Sequence, residues 1–294
     1  MRHSSVPQVS HPFSFSEWRR ILTRSEHPSN LSQSRLNESL IRGLPEDLRG
    51  EVWYYLSQAA EKKAQYRPHF YHELEMECGV EDRDMIARDV GRTLPTHPLF
   101  LELDGQGQDR LGRLLRAYAA FDENVRYCQG MNFIGAVLVL YLPQPEDAFW
   151  VFVQILSERG WKKVFYPNTP KLKSLLTSLN QQVEKRFPDI YAHCQAQSIE
   201  PAQPLSQFFI SIFCTDCPLD MSIRILDVFI HEGDHVLFVV ILRMLQAKRG
   251  VIVGLEGAEL YNYLRKRLAT ECCQELGLEF LLTALHQGVA STGF

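Results

Sequence analysis

Apolar residues recur every three or four positions along most of this chain and almost nowhere every second one, which commits it to helices before any other feature is weighed. Leu111, Leu114, Leu115, Tyr118 and Phe121 mark one helical face, and Leu172, Leu175, Leu176, Leu179 and Val183 mark another. Leu44-Pro45-Glu46-Asp47 puts a proline and two acids where a helix begins, after which Val52, Trp53, Leu56 and Ala60 keep the helical spacing. Two further helices are expected over 220–230 and 234–246, split at Glu232-Gly233, and the second is apolar on nearly every side, as a central helix must be. The one β-rich candidate, 250–254, is too short to found a sheet. Loops are expected at 104–108, 143–146, 166–170 and 198–204, where Gly, Pro or polar clusters gather. The fold class is therefore all-α, with no repeat and no long linker: a single domain over 38–294, preceded by an N-terminal arm over 1–37 that is partly disordered or forms one short helix.

Several function classes fall away on composition. With 45% apolar residues the chain can build a sizeable core, and its net charge of −4 is scattered, leaving neither a basic stripe for nucleic acid nor a polybasic run for lipid. The longest apolar runs, 133–142 and 236–242, fall short of the roughly 20 residues that cross a bilayer. Seven cysteines, an odd number without a secretory signal, read as reduced thiols of a cytoplasmic protein. Residues 1–16, rich in Ser, His and Pro, faintly suggest a transit peptide and more simply a frayed terminus.

A chain that handles nucleotide alone needs a glycine-rich cradle for phosphates. Here no such loop ends in Lys-Ser or Lys-Thr, and Gly105-Gln106-Gly107 lacks both the following glycine and a preceding strand. His231-Glu232-Gly233-Asp234-His235 fits the zinc-hydrolase pattern, with Glu256 or Glu259 as a distant third ligand. That reading needs both histidines on one continuous helix, whereas Gly233-Asp234 reads as a helix stop followed by an N-cap. Cys214-Thr215-Asp216-Cys217 would need the adjacent Cys272 and Cys273 to complete a zinc site, and neighbouring cysteines chelate poorly, so buried thiols are expected.

Three segments carry more information than any of these. They are Arg49-Gly50-Glu51-Val52-Trp53, then Ile86-Ala87-Arg88-Asp89-Val90-Gly91-Arg92, then Tyr127-Cys128-Gln129-Gly130-Met131-Asn132. With these boxes in this order the chain resembles the TBC-domain family of Rab GTPase-activating proteins. Thr96 to Phe100 and Asp227 to Gly233 also look like the family pattern, so that the resemblance covers about residues 38 to 290.

The resemblance implies a V-shaped all-α domain that receives a GTP-bound Rab-family GTPase and accelerates its hydrolysis in trans. Arg92 would be the arginine finger and Gln129 the glutamine finger. GTP and Mg²⁺ would arrive with the partner, no cofactor would belong to the chain itself, and membranes would be met only through the lipidated Rab. Both residue types suit this chemistry, since a guanidinium offers a permanent planar cation to charge developing on phosphoryl oxygens, and a carboxamide can both accept from and donate to the attacking water. Asp89, one turn before Arg92, is expected to aim it, and Tyr127 to pack or hydrogen-bond against the GTPase switch region. Arg49 and Trp53, at i and i+4, read as an aromatic anchor and ion pair beneath the site, while Ile86 and Gly130 complete the boxes as supporting residues. A non-catalytic Rab-binding scaffold is the alternative within the family, against which the intact Arg92 and Gln129 argue. Two departures stand out: Arg126 occupies a place where members commonly have glycine, and Phe208 replaces a tryptophan in the segment 208–213.

Overall fold

The structure, a computed structural model, describes residues 11–24 and 27–287, with side chains as far as residue 283; most of the Ser-, His- and Pro-rich stretch at 1–16 lies outside them. Helices account for every regular element among the described residues, and no strand occurs. The first nine are α1 (Phe15–Arg24), α2 (Gln33–Arg42), α3 (Arg49–Leu56), α4 (Ala59–Lys63), α5 (Phe70–Glu77), α6 (Val80–Val90), α7 (Gln106–Phe121), α8 (Met131–Tyr141) and α9 (Pro145–Val153). The rest are α10 (Pro170–Arg186), α11 (Pro188–Ala196), α12 (Ser206–Ile210), α13 (Leu219–Glu232), α14 (His235–Ala247), α15 (Arg249–Ile252), α16 (Gly257–Asn262), α17 (Leu268–Leu276) and α18 (Leu278–Gln287). Prolines open α9, α10 and α11, where the missing N–H costs no hydrogen bond.

Packing follows from which faces are apolar. In α7 the predicted positions 111, 114, 115 and 118 are buried, and the helix packs on α5, α6, α8 and α9. The all-round apolar α14 is buried from Val236 to Leu245 except at Arg243, and lies against α13, α17 and α18. In turn α13 packs on α2 and α3, closing one continuous core. Gly50 allows α3 to approach the end of α8, since a β-carbon there would collide with the Tyr141 carbonyl.

Some expectations need correction. The described part of 1–37 packs onto the core instead of trailing as an arm: Trp18 on α1 is fully buried with its ring edge-on to Phe13 at 5.2 Å, the Phe13 amide donates to Ser39 Oγ at 2.7 Å, and the 37/38 boundary falls inside α2, whose Leu36 is also buried. The stretch 250–254, read as too short for a sheet, lies partly in α15. Three of the expected loops are shorter than drawn, since α7, α9 and α10 already begin at Gln106, Pro145 and Pro170. The helix expected across 44–60 breaks at Gln58, which takes φ 60° and starts α4. The segment around Phe208 is helical only through Ile210, after which Ile212 and Phe213 adopt positive φ and Phe208 stacks on Phe213 at 4.3 Å. No described helix is long and apolar enough to cross a membrane.

Candidate functional site

Asp89 is the penultimate residue of α6, and there the helix tightens into a turn: the Arg92 amide donates to the Asp89 carbonyl at 3.2 Å and the Thr93 amide to the Val90 carbonyl at 3.1 Å. This turn carries Arg92 outward, leaving its side chain 59% exposed, while Asp89 keeps only 7% of its own. One carboxylate oxygen of Asp89 accepts Arg92 Nη2 at 2.7 Å; the other accepts the Tyr127 hydroxyl at 2.6 Å. Asp89 thus holds Arg92 as expected from their spacing. Tyr127, however, is buried and engaged internally, and does not face outward toward a partner as expected from its motif. Burial, and then the bond to Asp89, push its phenol far above the usual range, so it stays a neutral donor.

The second loop, 126–130, is held against the first by two side chains to which sequence reasoning assigns no role. Asn132, the second residue of α8, accepts the Gly130 amide on Oδ1 at 3.0 Å and donates from Nδ2 to Thr93 Oγ1 at 2.8 Å. Thr93 passes its own proton to the Asp89 carbonyl at 2.6 Å. Gly130 takes φ +108°, and a β-carbon there would stand 2.9 Å from Ile210 Cγ2. With Gly130 and Asn132 tucked inward, Gln129 is the residue left exposed at the head of α8. Ile86 lies on the buried face of α6 and anchors that helix in the core. Arg92 and Gln129, 37 positions apart in the chain, therefore line one hollow of about 300 Å³, together with Met85, Arg88 and Asp89. Roomier hollows of about 870 and 790 Å³ contain neither residue.

Arg49 and Trp53 do form an aromatic and ionic anchor, but away from this hollow. Both donate to the fully buried Asp227 of α13, Arg49 Nε at 3.1 Å and Trp53 Nε1 at 2.7 Å to Oδ1, and Arg224 Nε lies 3.6 Å from the other oxygen. Arg49 also meets Glu46 and the Leu44 carbonyl, and its guanidinium lies 4.9 Å from the Tyr141 ring centroid. Tyr141 ends α8 and Asn132 lies in its first turn, so roughly 15 Å of helix separates this clamp from the Gln129 loop. The pair is not beneath the site, because α3 packs on the far end of α8. Complete burial raises the Asp227 carboxyl to about 6, against the pull of Arg49 and Arg224.

The zinc-hydrolase geometry is not met. His231 and Glu232 end α13, Gly233 turns with φ 80°, and His235 opens α14, so the two imidazoles belong to separate helices. Among the described residues no group of three or more His, Cys, Asp or Glu converges on a metal-sized space. Cys217 bonds the Phe213 carbonyl, Cys272 points to the Met244 carbonyl at 3.9 Å, and burial lifts both thiols to about 12.

Residues 46–253 match the Rab-GTPase-TBC domain family. The human ecotropic viral integration site 5 protein homolog is 30% identical over 249 residues, covering 85% of this chain and 30% of that protein. A Rab GTPase-activating protein of Caenorhabditis elegans, tbc-11, is 29% identical over 268 residues, covering 90% of this chain and 28% of that protein. The chain therefore spans under a third of the length of these curated relatives. The Chlamydomonas flagellar RabGAP TBC domain superposes with a TM-score of 0.78 at 24% identity, covering 93% of this chain and 91% of that one. The Ypt/Rab-GAP domain of Gyp1p does so at 0.73 and 19%, covering 91% and 95%. Likeness at such identities establishes the fold.

Proposed function

The chain belongs to the Rab-GTPase-TBC domain family, and from that premise we propose that it accelerates GTP hydrolysis by a GTP-bound Rab-type partner, with Arg92 and Gln129 acting in trans. The observation that carries the reading is the shared hollow: an exposed cation and an exposed carboxamide at its edge, on two loops cross-linked by the Asn132–Thr93 bond. Hydrolysis builds negative charge on the phosphoryl oxygens while a water must be held in line. Arg92 spends one N–H group on Asp89 and keeps the others of its planar fork for those oxygens. Gln129 can accept from the water through its carbonyl and donate through its amide. The buried Asp89, Tyr127, Thr93 and Asn132 hold both loops before the partner arrives, so little ordering remains to be done in the transition state. GTP and Mg²⁺ come with the partner, as does any membrane attachment through its lipid.

The test is phosphate release from a panel of GTP-loaded Rab proteins. Wild type accelerates at least one of them, and Arg92→Ala lowers the stimulated rate by about 10³- to 10⁵-fold, the range of arginine fingers. Gln129→Ala also slows it. The melting transition of Arg92→Ala stays near wild type, because an exposed ion pair contributes about 0 to 1 kcal/mol. Stimulation that survives Arg92→Ala, or acceleration of no Rab in the panel, overturns the reading.

A further inference from the structure

Arg126 stands where the family commonly has glycine, and its backbone explains that preference: φ is +57°, in the left-handed region where an L side chain meets its own backbone and glycine does not. A side chain at such a position is costly unless its contacts offset the strain. In this structure it does not face the hollow. Its Nε donates to Asp82 Oδ2 at 2.7 Å, and a terminal nitrogen lies 3.8 Å from Glu81. Asp82 is in the first turn of α6, with only 8% of its side chain exposed. Arg126 itself is 46% exposed.

Two of the connections between the loops act at the C-terminal end of α6, through Asp89 and Thr93. The Arg126–Asp82 pair acts at the opposite end, about two turns earlier. Without it, the side-chain hydrogen bonds that tie α6 and its C-terminal turn to the glutamine loop lie at the Arg92 end alone, and the opposite end of α6 loses its polar link to that loop. With it, helix and loop are held at two separated points, which fixes the direction of Gln129 relative to Arg92. We propose that Arg126 is a positioning residue: an ionic strap from the glutamine loop to the start of the arginine helix that sets the spacing of the two fingers. This rests on the finger reading above. It assigns Arg126 no contact with the partner, so its effect belongs in the turnover step rather than in partner binding.

The experiment measures kcat and KM for the stimulated hydrolysis with wild type, Arg126→Gly, Arg126→Lys, Asp82→Asn and the Arg126→Gly/Asp82→Asn double variant, beside Arg92→Ala. Arg126→Gly folds, since glycine suits the backbone. For a half-exposed ion pair the expected fall in kcat is about two- to fivefold at low salt, with KM unchanged. Asp82→Asn reproduces it, the double variant is no worse than either single one, and Arg126→Lys restores most of the rate by keeping the charge. Raising the salt concentration brings wild type down toward Arg126→Gly. A higher KM with unchanged kcat overturns the proposal in favour of contact with the partner; an unchanged pair of constants, or additive losses in the double variant, also overturns it. If Arg92→Ala collapses the rate while Arg126→Gly does not, only the strap falls. If no GTPase is stimulated by wild type, the functional reading falls and takes the strap with it.

Discussion

Replacing Asp227 by alanine should strongly destabilise the domain. The carboxylate is fully buried and is the shared acceptor for the Arg49 guanidinium and the Trp53 indole, with Arg224 alongside. Its removal leaves Arg49, itself almost wholly buried, with the Leu44 carbonyl and the largely exposed Glu46 as its remaining partners, and the Trp53 N–H with none of its present ones. Breaking one side of a buried pair costs about 3 to 5 kcal/mol. That is a large part of the roughly 5 to 15 kcal/mol by which domains are stable. In a chain of this size it lowers the melting midpoint by about 5 to 8 °C. Urea titration followed by far-UV circular dichroism reads the loss as a lower midpoint at unchanged slope.

Asp227→Asn refines the test through pH. The folded carboxyl titrates at about 6, above its ordinary 3.8, so the proton is held more tightly in the folded chain. Its contribution is therefore complete below about pH 4 and is lost as the pH rises through 6. Asparagine does not titrate, so the stability of wild type relative to Asp227→Asn should fall as the pH rises from 4 to 7. An Asp227→Ala variant within 1 kcal/mol of wild type, or a wild-type advantage over asparagine that grows with pH, refutes the reasoning.

Asn132→Ala removes the bond between the two loops and leaves the Gly130 amide and the Thr93 hydroxyl without that partner. It should cost about 2 kcal/mol in a thermal melt and lower the stimulated rate more than tenfold with little change in KM; an unmoved midpoint or a full rate counts against the network. Met85 and Arg88 share the hollow with Arg92 at helical spacing and are exposed, so they meet any partner that reaches the fingers. Met85→Ala and Arg88→Ala should each raise KM several-fold at constant kcat and shift stability by no more than about 0.5 kcal/mol, as read by titrating the GTPase in single-turnover assays.

What is legible in the sequence is local. Three-to-four spacing marks the buried face of α7, the glycine at 233 marks the break between α13 and α14, and the boxes mark Arg92 and Gln129. What is not legible depends on partners far along the chain. Trp18 gives no sign in its neighbourhood that it enters the core, and the single acid within the apolar run 225–230 is the only hint that Asp227 awaits an arginine 178 positions earlier. The hydroxyl of Tyr127 is expected outward because a motif says where a side chain is attached and not where its polar end finds a bond; Asp89, 38 positions away, decides that.

The same distinction bears on Arg92 and Gln129, the proposed fingers. A motif can name an exposed arginine and an exposed glutamine, but two long, rotatable side chains on separate loops become one device only if the backbones beneath them cannot move apart. Here the restraint comes from short, buried residues within or beside the same boxes, Asp89, Thr93, Tyr127 and Asn132, whose bonds cross between the loops at 2.6 to 2.8 Å. The boxes are thus best understood as one polar core seen twice in the sequence, from which two side chains project. On the proposed function, a substitution inside that core should damage hydrolysis through Arg92 and Gln129 at once, and its effect should fail to add to that of Arg92→Ala.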